Sequence, residues 1–149
     1  MPARDLAWPC TPLRPEATLR EAAALLFRER APAVVVVSED GHPLAVVPAA
    51  RVLAAVLPEA VVEDPLLAAA AGESLDDAVR ARAASLRLAD LLPQRPHALA
   101  VVSPEASPVH MAALMERTGS SVVLVVEYDD DHAHVYGTVD AAGLLHHYL

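Results

Sequence analysis

Three carboxylates and two imidazoles fall within six residues at Asp129-Asp130-Asp131-His132-Ala133-His134, the most conspicuous polar cluster in the sequence. Histidines two apart on a strand project from one face, and imidazole with carboxylate is a ligand set that zinc and other divalent cations accept. A solvated hairpin tip has the same composition, so the run alone assigns no metal. His146-His147 are adjacent on a helical stretch, where side chains diverge, and His147 suits the negative end of a helix dipole. Cys10 lies in Trp8-Pro9-Cys10-Thr11-Pro12, an extended stretch with no helix start behind it to acidify the thiol, and reads as a buried or idle cysteine. No G-x-S-x-G, Walker A, G-x-G-x-x-G or H-E-x-x-H pattern occurs. The expectation is a protein that is not an enzyme.

Charge narrows the partners. The 149 residues carry 11 basic groups, all Arg, against 20 Asp and Glu, a formal net charge of −9. Such a field repels phosphate backbones and anionic lipid, so nucleic acid and membrane surfaces are not expected partners. With 54% hydrophobic residues the chain has ample material for a core and is not disordered. The mean hydropathy of +0.33 raises the question of a membrane span. The most apolar stretch, 43–62, is interrupted by Pro48, Arg51, Pro58 and Glu59 and is too broken to cross a bilayer. One cysteine and a start, MPARDLAWP, without a basic and then apolar leader predict a cytoplasmic protein. Lys, Asn and Ile, whose codons are AT-rich, are all absent, so the abundance of Ala and Arg reflects a GC-rich genome more than function.

The elements that must position any site come from an internal repeat. Shifting the chain by 89 residues lays 15–38 on 104–127 with 10 identities in 24. Pro15-Glu16-Ala17-Thr18 falls on Pro104-Glu105-Ala106-Ser107, Arg28 on Arg117, and Val34, Val36 and Val37 on Val123, Val125 and Val126. Thr18 and Ser107 are natural N-caps. The helix after Thr18 has an apolar face of Leu19, Ala22, Ala23, Leu26 and Phe27, and that after Ser107 one of Met111, Leu114 and Met115. Ala33 to Val37 and Val122 to Val126 read as strands buried on both faces. The first copy then turns through Ser38-Glu39-Asp40-Gly41 into Leu44 to Val47, and the second through Asp129-Asp130-Asp131, a turn three residues longer, into His134 to Val139. Apolar helices at 49–57 and 141–149 close the copies. Their faces predict an isologous homodimer, packing within the chain, or both.

Each copy is thus strand, helix, strand, strand, helix, a mixed α/β (α+β) fold used twice: residues 1–57, then a helical linker at 58–89, then 90–149. The linker contains a predicted helix over Glu73 to Leu86 with Ser74 as its cap. Asp5-Leu6 and Asp90-Leu91 read as the lead-ins to the two copies.

This order of elements resembles a tandem pair of CBS domains, the regulatory module named after cystathionine β-synthase. The resemblance rests on the P-E-A-(T/S) helix starts, the valine strands, and the return ending in Tyr136-Gly137-Thr138-Val139-Asp140-Ala141-Ala142-Gly143-Leu144. It implies a non-catalytic sensor whose clefts between repeats bind an adenosine-containing ligand: AMP, ADP, ATP or S-adenosylmethionine. By the same resemblance the cleft lining is Val46, Val47, Pro48 and Arg51 from the first copy and Gly137, Thr138, Val139 and Asp140 from the second. The family's binding signature is Gly, two apolar residues, Thr, two variable residues and Asp. Here the first copy has Ala45, Pro48 and Arg51 at the three fixed positions, and the second has Gly137, Asp140 and Gly143. Arg51 suits phosphate or carboxylate, whereas Asp140 repels phosphate. The two are also able to pair with each other. The alternative is therefore a ligand-less module that docks on a partner enzyme or transporter.

Overall fold

Caps and periodicity build the elements as the repeat requires. In the computed structural model, which describes residues 1–70, 72–94 and 99–149, the elements follow in chain order. They are α1 (Ala3–Leu6), α2 (Leu19–Glu29), β1 (Ala33–Val37), β2 (Pro43–Pro48), α3 (Ala49–Val56), α4 (Glu59–Glu63), α5 (Pro65–Ala69) and α6 (Glu73–Ser85). A 3₁₀ turn at Leu88–Leu91 precedes β3 (Val101–Val102), α7 (Pro108–Thr118), β4 (Val122–Asp129), β5 (His132–Asp140) and α8 (Ala141–Tyr148). Ala71 in the linker, and 95–98 just after the Asp90-Leu91 lead-in, lie outside the described residues.

The 89-residue offset is kept in detail. Thr18 Oγ1 accepts from the Glu21 amide at 3.1 Å and Ser107 Oγ from the His110 amide at 3.2 Å, each satisfying a first-turn N–H. Helices α2 and α7 both end on a left-handed residue, Arg30 at φ 53° and Gly119 at φ 69°. Leu13 bridges Val36 in parallel, as Val102 pairs with Val125. The first copy's leading strand is therefore a single bridge.

The described residues divide into two compact units. The C-terminal unit comprises Met1–Pro12, Val37–Ala45 and Pro93–Leu149; the central unit comprises Leu13–Val36 and Val46–Leu92. In the C-terminal unit β3, β4 and β5 form one sheet, with β3 parallel and β5 antiparallel to β4. Its core gathers Ala3, Ala100, Val102, Ala106, Met111, Val123, Val125, Val139 and Leu144, with Leu114 and Met115 packed against them. β1 pairs with β2, and in the central unit, which holds residues 33–36 of β1 and 46–48 of β2, α2, α3 and α6 pack together around Leu19, Ala22, Leu25, Val52 and Val56.

Several sequence expectations are corrected. The apolar face of α2 is narrower than predicted: Leu25 is buried, while Ala23 and Phe27 are exposed. The α6 helix is capped at Gly72 without a side-chain bond, and Ser74 lies inside its first turn. The second hairpin turns on Asp130-Asp131 alone, with Asp130 at φ 51°. Its extra residues lengthen the ladder, pairing Asp129 with His132, instead of enlarging the turn, because the backbone groups of 127–129 and 132–134 are satisfied by each other. The lead-ins are exchanged. The Ala3 and Arg4 amides donate to the Ala106 and Pro104 carbonyls at 2.8 and 2.9 Å, so the first lead-in packs on the second copy. The Leu88 and Ala89 amides donate to Ala17 and Pro15 at 2.8 and 2.9 Å, so the second packs on the first.

Candidate functional site

Strand ends set the geometry of the expected ligand residues. In the first copy β2 runs straight into α3, so Val46, Val47 and Pro48 end a strand and Arg51 lies in the first turn of a helix. Val47 is buried, Val46 is half-buried, and Pro48 and Arg51 are exposed. In the second copy β5 runs into α8 in the same way. Gly137 and Val139 are buried, and Thr138 and Asp140 are half-buried. Val47 and Val139 thus spend their side chains on packing.

Asp140 has a local task. Its Oδ1 accepts from the Gly143 amide at 2.8 Å, making it the N-cap of α8. The residue in the signature's Thr position therefore holds the residue in its Asp position by the backbone. A Cβ on Gly143 would sit 3.3 Å from that carboxylate oxygen.

Gly137 has a second neighbour that the sequence did not announce. Trp8 forms an antiparallel bridge to Thr138, with Trp8 N–H to Thr138 O at 2.9 Å and Thr138 N–H to Trp8 O at 3.0 Å. A Cβ on Gly137 would run into the Trp8 carbonyl, so the close approach requires glycine. The Trp8 side chain remains 71% exposed. The only available signal was a tryptophan among prolines, which names no strand partner.

The Asp/His run lies at the far end of the same hairpin. Glu127, Tyr128, Asp129, His132, Ala133 and His134 line a surface hollow of about 570 Å³. The two imidazoles face different neighbours: His132 Nδ1 lies 3.8 Å from Asp40 Oδ1, and His134 meets Tyr136 edge-on at 5.0 Å. The tip of the first hairpin docks here through the Ala133 amide, which donates to the Asp40 carbonyl at 2.9 Å, and the His42 ring lies tilted against Tyr128 with 5.9 Å between centroids. Among the described residues no three His, Cys, Asp or Glu side chains are grouped to hold a metal ion. A bulge opposite Val125/Val126 leaves Tyr136 without a strand partner, and its hydroxyl donates to Glu127 Oε2 at 2.7 Å. That hydrogen bond, with the charge of Glu127, raises the Tyr136 pKa above its ordinary value.

Comparison with known proteins decides the family. The CBS-domain family model matches residues 3–58. The crystal structure of a CBS domain-containing protein of unknown function from Kribbella flavida is 30% identical over 100% of both chains, with a TM-score of 0.81. The chain belongs to the CBS-domain family. It is a tandem CBS pair. The CBS domain of a CBS domain containing membrane protein from Sphaerobacter thermophilus matches at 23% identity, covering 98% of this chain and 86% of that one, with a TM-score of 0.71. CBSX2, the CBS-pair protein of Arabidopsis thaliana, in complex with AMP matches at 17% identity, covering 99% and 95%, with a TM-score of 0.64. No curated protein gives a significant match. Among the described residues no helix is long and apolar enough to cross a membrane.

Proposed function

We propose that this CBS pair is a non-catalytic, cytoplasmic regulatory module that binds an adenosine-containing ligand. AMP, ADP, ATP and S-adenosylmethionine are the candidates. Val46, Val47, Pro48 and Arg51 in the first copy and Gly137, Thr138, Val139 and Asp140 in the second contribute to binding. The observation that carries this reading is the repeat itself: both copies bring a strand directly into a helix at the positions where the family's signature falls. The AMP complex of CBSX2 supports the ligand class. Regulation then follows by linkage, since a ligand with unequal affinity for two arrangements shifts their balance by that difference. The module pairs as a homodimer through apolar helix faces, α8 leaving Leu145 and Tyr148 exposed. Thermal unfolding with each ligand tests the reading. A ligand that binds only the native protein at 100 times its Kd adds about 2.7 kcal/mol, several degrees in Tm for a chain of this size. No shift with any of the four at millimolar concentration refutes it.

One observation favours a second reading. Asp140 already caps α8, and Gly143 puts no carboxylate in the signature's Asp position. A module that has given up its ligand and docks on an enzyme or transporter accounts for both. The relative in a CBS domain containing membrane protein is in keeping with it.

A further inference from the structure

We propose that Trp8, Thr138 and Asp140 form a nucleoside-recognition face, Trp8 stacking on the base while Asp140 disfavours phosphorylated ligands. This rests on the ligand-sensing reading above and names the ligand subclass.

Residues directly opposite each other in an antiparallel pair project to the same face of the sheet. Trp8 lies opposite Thr138, so the indole shares the face of the Thr138 side chain. Asp140, two residues further along β5, lies on that face too, while Val139 between them points into the core and is 1% exposed. The face therefore offers a π-surface, a hydroxyl and a carboxylate in one row. The indole is held by backbone bonds on both sides of the Trp8 peptide unit, and Gly137 is the residue that lets the Trp8 carbonyl come so close. With its backbone already held, a tryptophan has only two side-chain torsions left to fix when a base stacks on it.

Charge selects among adenosine compounds. The C-terminal unit holds ten Asp and Glu against three Arg, and of these Arg4 is engaged by Glu105. Asp140, one of the ten, lies on the recognition face itself. Such a surface favours a neutral nucleoside or a cationic sulfonium such as S-adenosylmethionine, and disfavours each added phosphate.

Trp8 is the only tryptophan, so its emission reports on this face alone. The experiment titrates the full chain with adenosine, S-adenosylmethionine, AMP and ATP, reading Trp8 fluorescence and, by calorimetry, Kd. The expected result is a change in Trp8 emission on binding, with ATP at least about tenfold weaker than adenosine. Trp8→Leu is expected to weaken adenosine roughly tenfold, and Trp8→Phe to keep most of the affinity. Asp140→Asn, which preserves a helix-capping side chain, is expected to narrow the gap between adenosine and ATP. Binding by calorimetry with Trp8 emission unmoved and Trp8→Leu unaffected overturns this inference and leaves the sensor reading standing. ATP as the tightest ligand also overturns it. Binding of none of the four overturns both.

Discussion

Replacing Gly137 with alanine tests the strap that places Trp8. The new Cβ meets the Trp8 carbonyl oxygen, with the carbonyl carbon only 2.7 Å away and the Ala7 Cβ at 3.3 Å. Backbone on both sides prevents relief by a rotamer change, so the Ala7-Trp8 segment must move. The two hydrogen bonds between Trp8 and Thr138 are then lost. At about 0.5–1.5 kcal/mol net for each, the variant is destabilised by roughly 1–3 kcal/mol. For a chain of this length a 2 kcal/mol loss lowers Tm by roughly 4–8 °C. Hydrogen exchange locates the effect: the amides of Trp8 and Thr138 should exchange roughly 30-fold faster for a 2 kcal/mol local loss. Gly119→Ala is the control. Its Cβ meets nothing within 4 Å, yet φ is +69°, so it should cost about 1 kcal/mol through the backbone while leaving those two amides protected. Unchanged exchange at Trp8 and Thr138 in Gly137→Ala, with Tm unchanged, refutes the claim that this glycine admits the strap.

Other expectations are more local. Thr18→Ala and Ser107→Ala should each cost about 1 kcal/mol in chemical denaturation, because each removes the acceptor of a first-turn amide; an effect below about 0.3 kcal/mol at both sites would show that solvent replaces the caps freely. Glu127→Gln should shift the Tyr136 phenol downward, toward the usual value near 10, in an absorbance titration at alkaline pH. The sign follows from the cause: the carboxylate accepts from the neutral phenol and repels the phenolate, so removing its charge eases ionisation. A titration identical to that of the parent protein removes Glu127 as the cause.

Short-range rules account for what was legible in the sequence. Caps at Thr18 and Ser107, valine strands and helical periodicity act within a few residues, so they read correctly without knowledge of the partner surface. The offset of 89 predicted the repeat, and even the left-handed ends at Arg30 and Gly119 obey it. Where an apolar arc was wider than the surface available to cover it, as at Phe27, sequence overestimated burial. The candidate residues Val46 to Arg51 and Gly137 to Asp140 were readable as strand-to-helix junctions. The capping role of Asp140 was in principle readable too, since a carboxylate three residues before Gly143 at a helix start is an N-cap pattern.

By itself the sequence determined two copies of one unit, their elements and their caps and turns, because those depend on local backbone preference and on hydrophobic period. The tertiary structure alone decided which lead-in joins which copy, where Trp8 lies and how the first hairpin tip meets Ala133. The reason is degeneracy. Pro15-Glu16-Ala17 and Pro104-Glu105-Ala106 present the same pair of carbonyls, so either lead-in satisfies either copy locally. Only the packing of Ala3 and Leu88, both fully buried, into their separate units resolves the choice.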